Sequence, residues 1–223
     1  EARGPDGAWS RWSEVLEPPD GPIAAWEVLP SGAGYLWIGA WLPGYGVEET
    51  IEEAMVELRG RPGLIVDLRG NAGGRLAMAH ALRDRFLPDR RVCGYVRHTE
   101  PGRRLGPWEP LWGEPSEATR WDGPARFLTS PLSYSASEDA ILGLQGLPHV
   151  QVVGEPSGGG SGRNRRLRLL PGWRLTISTG ITWDARGRRV ERLGVPVDVP
   201  VTVDRAHPDG SDPVLAAAEA MAW

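Results

Sequence analysis

The sequence predicts an α/β domain, and three observations carry that expectation. Strand-like and helix-like stretches alternate as far as residue 153. Gly63–Asp67 is a short, continuously apolar run, as expected of a strand buried in a parallel sheet. Val47, Ile51, Ala54, Met55 and Leu58 recur at helical spacing, with glutamates on the other face.

The elements follow in order. Residues 1–33 are rich in Pro, Gly and Trp and form an N-terminal segment expected to pack on the core that spans 34–223. Within the segment, Trp9–Leu16 and Ile23–Leu29 have packing character but no clear period. Ala33–Trp41 reads as a strand ending in a Pro-Gly-Tyr-Gly turn. The helix over 47–58 and the strand at 63–67 lead into the turn Arg69-Gly-Asn-Ala-Gly-Gly74 and a helix to about Leu87, closed by Pro88. Arg91–Val96 is a strand; Thr99–Asp122 reads as irregular, and a long irregular stretch inside a domain is usually functional or mobile. Ala125–Thr129 is a strand, a helix starts near Ala136, and Val150–Val153 is a strand before the glycine-rich loop 154–162. Arg165–Leu170, Trp173–Ser178 and Gly180–Trp183 look like antiparallel strands joined at Pro171-Gly172 and Ala185-Arg-Gly187. An alanine-rich helix over Pro213–Met221 closes the chain.

Composition narrows the chemistry. The 223 residues carry a net charge of −4 without a basic block, which argues against a nucleic-acid partner. The arginines at 163, 165, 166 and 168 read as a solvated strand face, with phosphate or acid binding as the other reading. No run approaches the roughly 20 apolar residues of a membrane span, and no signal peptide is recognisable; compartment and oligomeric state are not assigned. The single cysteine, Cys93, lies in an apolar run and reads as a buried inert thiol. All 25 basic residues are arginine. Arginine keeps its proton in proteins, so a Ser–Lys dyad within this chain is excluded. No cluster has metal-ligand spacing, and no cofactor is implied.

Two segments sit where chemistry is done. The strand–glycine turn–helix at 63–87 puts free backbone N–H groups at a helix N-terminus, which favours negative charge. An oxyanion hole and a phosphate site are both open readings, although the Gly-Lys-Ser/Thr of a P-loop is missing. A structural tight turn is the plain alternative. Ser133-Tyr-Ser-Ala-Ser-Glu138 lies between a strand and a helix, where a serine is exposed and the next N–H can face an oxyanion. Ser135 with Glu138 also fits a helix-capping pattern.

These two segments are followed in order by Val152-Val-Gly-Glu-Pro-Ser-Gly158 and Glu191-Arg-Leu-Gly-Val-Pro-Val-Asp198. The series resembles the core of the tail-specific and tricorn serine peptidase superfamily, from about Gly34 to the C-terminus. The resemblance implies a ClpP/crotonase-like core of stacked β-sheets and helices, with no PDZ domain evident. It places Ser135 as nucleophile, Ala136 as one oxyanion N–H, and Gly73 or Gly74 as the other. Glu191 matches the glutamate of the tricorn branch, which orients polar partners or stabilises a charged histidine. The tail-specific lysine has no counterpart in Ser157-Gly-Gly-Gly160. The tricorn branch carries its histidine base upstream of the core, and residues 1–33 contain no histidine. Of the four present, His80 and His98 are the candidates for the base; His149 and His207 read as turn and loop residues. Trp108, Trp112 and Trp121 line a substrate cleft or simply pack.

The expected activity is that of a serine hydrolase on a peptide or acyl substrate, a peptidase acting through an acyl-enzyme, with peptides or protein C-termini as the substrate the resemblance implies. The alternatives are a peptidase-like binding module that has lost its chemistry and an acyl-transfer enzyme of a biosynthetic pathway.

Overall fold

The computed structural model describes residues 2–3, 9–10, 21–102, 104–203, 211–221 and 223. His207 and most of Trp9–Leu16 therefore lie outside the described residues.

A six-stranded sheet organises the chain, in the order β14 (Val199–Pro200), β10 (Val150–Gly154), β9 (Ala125–Thr129), β5 (Leu64–Asp67), β4 (Gly34–Ile38), β3 (Ala24–Val28). Every neighbouring pair is parallel except the edge pair β3/β4. Ala24–Val28, a stretch without a readable period, is thus a strand of the main sheet, so ordered structure continues across residue 33. Two residue pairs at Ala2–Arg3 (β1) and Trp9–Ser10 (β2) form a separate antiparallel ladder.

The pleat divides the core in two. Leu64, Val66 and Phe127 face a cluster shared with helices α1 (Val47–Glu57), α2 (Leu76–Asp84) and α3 (Ala136–Leu142). Ile65, Leu128 and Val153 face the opposite cluster, covered by Val214 and Ala218 of α4 (Pro213–Ala220). Burial on both faces is why these strands read as continuous apolar runs.

A second sheet carries β6 (Arg91–Glu100) between β13 (Gly180–Asp184) and β8 (Glu109–Gly113), with β7 (Arg104–Leu105) folded back on the end of β6. Thr99–Asp122, expected to be irregular, therefore contains two short strands. Pro110 interrupts the pattern, and β8 tolerates it because it pairs on one side only. β13, expected beside β12, instead pairs with β6, matching Gly180 with His98. β11 (Arg165–Arg168) and β12 (Arg174–Ile177) form a hairpin of their own, closed at Pro171-Gly172 with Gly172 at φ 82°. Trp121 is core, whereas Trp108 and Trp112 are exposed. Trp108 packs edge-on against Trp183 with ring centroids 4.5 Å apart. Cys93 is buried, its thiol pushed up by burial, in agreement with an inert role.

Candidate active site

Strand β5 ends at Asp67 and turns through Asn71 to Gly74 before α2 begins. Asn71 is fully buried and holds this turn: its amide nitrogen donates to Ile38 O (3.0 Å), and its Oδ1 accepts the Gly73 N–H (2.9 Å). Gly73 (φ 107°) and Gly74 (φ 141°) adopt backbone angles that side chains avoid. A Cβ on Gly73 would lie 2.7 Å from Ser135 Cβ and 3.2 Å from Ala136 N. The glycine turn and the serine turn are therefore in direct contact.

Ser135 stands between β9 and α3 with φ 54° and ψ −115°, a strained conformation for a residue with a side chain. Such strain is costly and is the kind stored at functional turns; here the Ser135 side chain faces the Glu138 amide, and the two residues form a capping box at the start of α3. The turn is braced from below. Ser133 Oγ donates to Leu68 O (2.8 Å), the Tyr134 amide donates to Asn71 O (3.0 Å), and Ser137 Oγ donates to Asn71 O (2.9 Å) while accepting the Trp41 indole N–H (2.9 Å). Among the described residues, the amides of Ala136 and Gly74 donate to no protein acceptor. The Gly73 amide is engaged by Asn71, which separates the two glycines that the sequence left equivalent.

Glu138, read in the sequence as a capping residue, does more than cap. It is fully buried, and its two oxygens accept from the Ser135 amide (3.0 Å), Ser157 Oγ (2.7 Å), the Gly159 amide (2.7 Å) and the Gly160 amide (2.9 Å). Burial pushes its carboxyl above the ordinary value, and these donors pull it back. The glycine-rich loop is thereby clamped under the serine turn. Gly158 and Gly160 lie on the Tyr134 ring, where a Cβ would sit 2.5 Å and 1.7 Å from ring carbons. Ser157 Oγ also accepts the Val195 amide (2.7 Å), and the Arg192 amide donates to Gly159 O (2.8 Å). All four segments singled out in the sequence thus meet at one place.

Asp139, one residue further along α3, accepts from Ser161 Oγ (2.6 Å) and Arg163 (2.6 Å) and lies 3.6 Å from His80 Nε2. Burial works against its charge, but His80, Arg163 and Ser161 outweigh that and hold the carboxyl below the ordinary range. His80 Nε2 is thus within ion-pair distance of Asp139 but buried without a hydrogen bond, and His98 lies 3.8 Å from Glu109 on the second sheet. Among the described residues no imidazole is hydrogen-bonded to Ser135. Glu191 accepts the Thr182 amide at Oε2 (2.6 Å), and its Oε1 is buried without a partner. Burial raises its carboxyl, the Thr182 amide lowers it, and the charge of Glu138 adds to the rise. Asn71, Ser137 and Asp139 are residues that sequence reasoning left without a role; Arg163, read there with its neighbours as a solvated strand face, is instead largely buried, precedes β11 and is bonded to Asp139. Only Glu138 carried a signal, its spacing from Ser135.

Fold and site together define a class: α/β domains in which a serine on a strained strand-to-helix turn abuts a glycine turn. Comparison supplies the family. The model of peptidase family S41 matches residues 32–201, and the chain belongs to that family. It is 24% identical over 144 residues to the nisin-resistance protein of Lactococcus lactis subsp. lactis, a match covering 61% of this chain and 45% of that one. A candidate peptidase from Parabacteroides merdae superposes with a TM-score of 0.77 at 28% identity, over 90% of this chain and 64% of that one. The photosystem II D1 C-terminal processing protease superposes with a TM-score of 0.64 at 18% identity, over 80% of this chain and 48% of that one, a likeness of fold. The chain spans less than two thirds of each of these proteins.

Proposed function

We propose that this chain is the core of a serine peptidase that acts through an acyl-enzyme, with Ser135 as nucleophile. One observation carries the reading: a strained serine in contact with a glycine turn, with the Ala136 and Gly74 amides left without protein acceptors. In the proposed reaction, Ser135 Oγ attacks a peptide carbonyl as its proton leaves to a base. The negative charge that develops on the carbonyl oxygen is met by the Ala136 and Gly74 amides. Collapse of the tetrahedral species breaks the C–N bond, the amine leaves with a proton from the base, and water then releases the acyl group. Gly73 serves by letting the two turns touch, its own N–H being used by Asn71. Glu191 orients polar groups behind the site.

The base is proposed to come from outside the described residues. The chain has no lysine, no imidazole among the described residues is hydrogen-bonded to Ser135, and the tricorn-type resemblance implies a histidine upstream of the core. The absence of an imidazole bonded to Ser135 among the described residues favours the second reading, a peptide-binding module without turnover. A fluorophosphonate probe distinguishes them. On the full-length protein, with any upstream segment present, the enzyme reading expects an adduct on the peptide containing Ser135, lost in Ser135→Ala and retained in His80→Ala and His98→Ala. Absence of any adduct on folded protein, with peptides still bound, would establish the module instead.

A further inference from the structure

The β11–β12 hairpin departs from the rest of the molecule: every residue from 164 to 178 is exposed, so it stands off the body. Its turn is Leu169-Leu170-Pro-Gly-Trp173, and the apolar side chains there are the barest in this stretch, with Leu169 58%, Leu170 67% and Trp173 68% exposed. Behind the tip come the charges. Arg168 lies directly across from Arg174, and Arg166 across from Thr176 on the same face. Like charges directly opposite on paired strands repel, yet among the described residues none of these three arginines has an ion-pair partner. The opposite face carries Leu167, Leu175 and Ile177, each about two fifths exposed at 41%, 40% and 39%, with Arg165 across from Ile177 at the stem end. From residue 156 to residue 183 there are five arginines and no acidic residue, in a chain whose net charge is −4.

We propose that this hairpin docks the protein on an anionic bilayer surface, its tip among the upper acyl chains and its arginines among the headgroups. The order in depth carries the inference. Apolar residues stand outermost, a tryptophan marks the boundary, and a collar of guanidiniums lies behind, which is the polarity sequence of a lipid interface. A flat protein partner would cover one face of the hairpin; here both faces and the tip are bare, and a fluid interface wraps all three. No membrane-spanning helix is needed for such binding, since buried apolar area and the attraction of basic residues to anionic lipid together hold an element at the interface. At the other end of the hairpin, Arg163 is bonded to Asp139 of α3, and the Thr179 amide to Gly162 O (3.0 Å). The helix that begins at Ser135 is therefore tied to the stem, roughly 20 Å from the tip at the usual strand rise.

The test is co-sedimentation with vesicles of phosphatidylcholine and phosphatidylglycerol, against vesicles of phosphatidylcholine alone. The protein is expected on the mixed vesicles, less at high salt, and weakly on the neutral ones. Arg168→Ala and Arg174→Ala should each weaken binding about fivefold, and Leu170→Ser with Trp173→Ser should abolish it. All four positions are exposed, so melting temperatures should match the parent. The proposal is overturned if the parent does not bind the mixed vesicles or if these variants bind as the parent does. It is also overturned if, without lipid, Leu170→Ser with Trp173→Ser converts an oligomer to monomers by light scattering, since a second copy would then be what covers the tip.

Discussion

Gly74→Ala probes the packing of the glycine turn against Trp41. A Cβ at residue 74 would lie 2.2 Å from the Trp41 carbonyl oxygen and 2.8 Å from its carbon, with the residue held at φ 141°. Trp41 cannot retreat: it is fully buried, and its indole is bonded to Ser137 Oγ at 2.9 Å. The backbone must move instead, which disturbs the bonds from the Arg75 amide to Trp41 O (2.8 Å) and from the Trp41 amide to Gly73 O (3.1 Å). Strain of about 1–3 kcal/mol and two weakened hydrogen bonds of about 1 kcal/mol each give a loss of about 3–5 kcal/mol. For a chain of this size that lowers the melting temperature by about 6–20 °C. If the Gly74 amide meets an oxyanion, modification of Ser135 by a fluorophosphonate should also slow by about 10²–10³. Gly70→Ala is the control, also at positive φ (82°) but with open space around it. It should cost about 1 kcal/mol and leave the labelling rate unchanged. Equal melting and equal labelling for Gly74→Ala and the parent would refute the reasoning.

Other expectations follow from the same geometry. Ser135→Gly releases the strain at φ 54°, so it should melt no lower than Ser135→Ala while both lose labelling; a lower melting point would argue against stored strain. Asp139→Asn leaves Arg163 without its buried counter-ion and should cost about 3–5 kcal/mol near neutral pH. Because the Asp139 carboxyl is held low, its contribution is present above the unfolded carboxylate value and is lost as pH falls through the folded one. The acid limb of stability should therefore be shallower in Asp139→Asn, as read by denaturant melts across pH. Glu191 has the opposite sign. Its folded carboxyl is raised, so stability declines as pH climbs from the unfolded value through the folded one, and Glu191→Gln should gain on the parent over that window. A constant difference at every pH would show that Glu191 does not titrate this way.

Much of this architecture was legible because burial writes itself into sequence. Gly63–Asp67 and Ala125–Thr129 are apolar on both faces since helices cover both sides of the sheet, and α1 shows its stripe because only one face is buried. The second sheet was harder. β8 contains Pro110, and β13 finds its partner in β6, far upstream, a pairing that no local pattern encodes. The same division holds at the site. The serine and glycine turns are local signatures and their order brought them together. The Asn71 brace and the Glu138 clamp exist only where separate segments meet, so the asparagine showed nothing in the sequence and the glutamate showed only its capping spacing from Ser135. Which glycine amide is left available depended on the Asn71 side chain, a contact made within the turn but decided by its burial against Ile38.

A crystal structure with a peptide boronate bears most directly on the site. Boron is expected on Ser135 Oγ, with one boronate oxygen at about 2.7–3.1 Å from both the Ala136 and Gly74 nitrogens. Boron bound elsewhere, or an oxygen turned away from those two amides, would contradict the account.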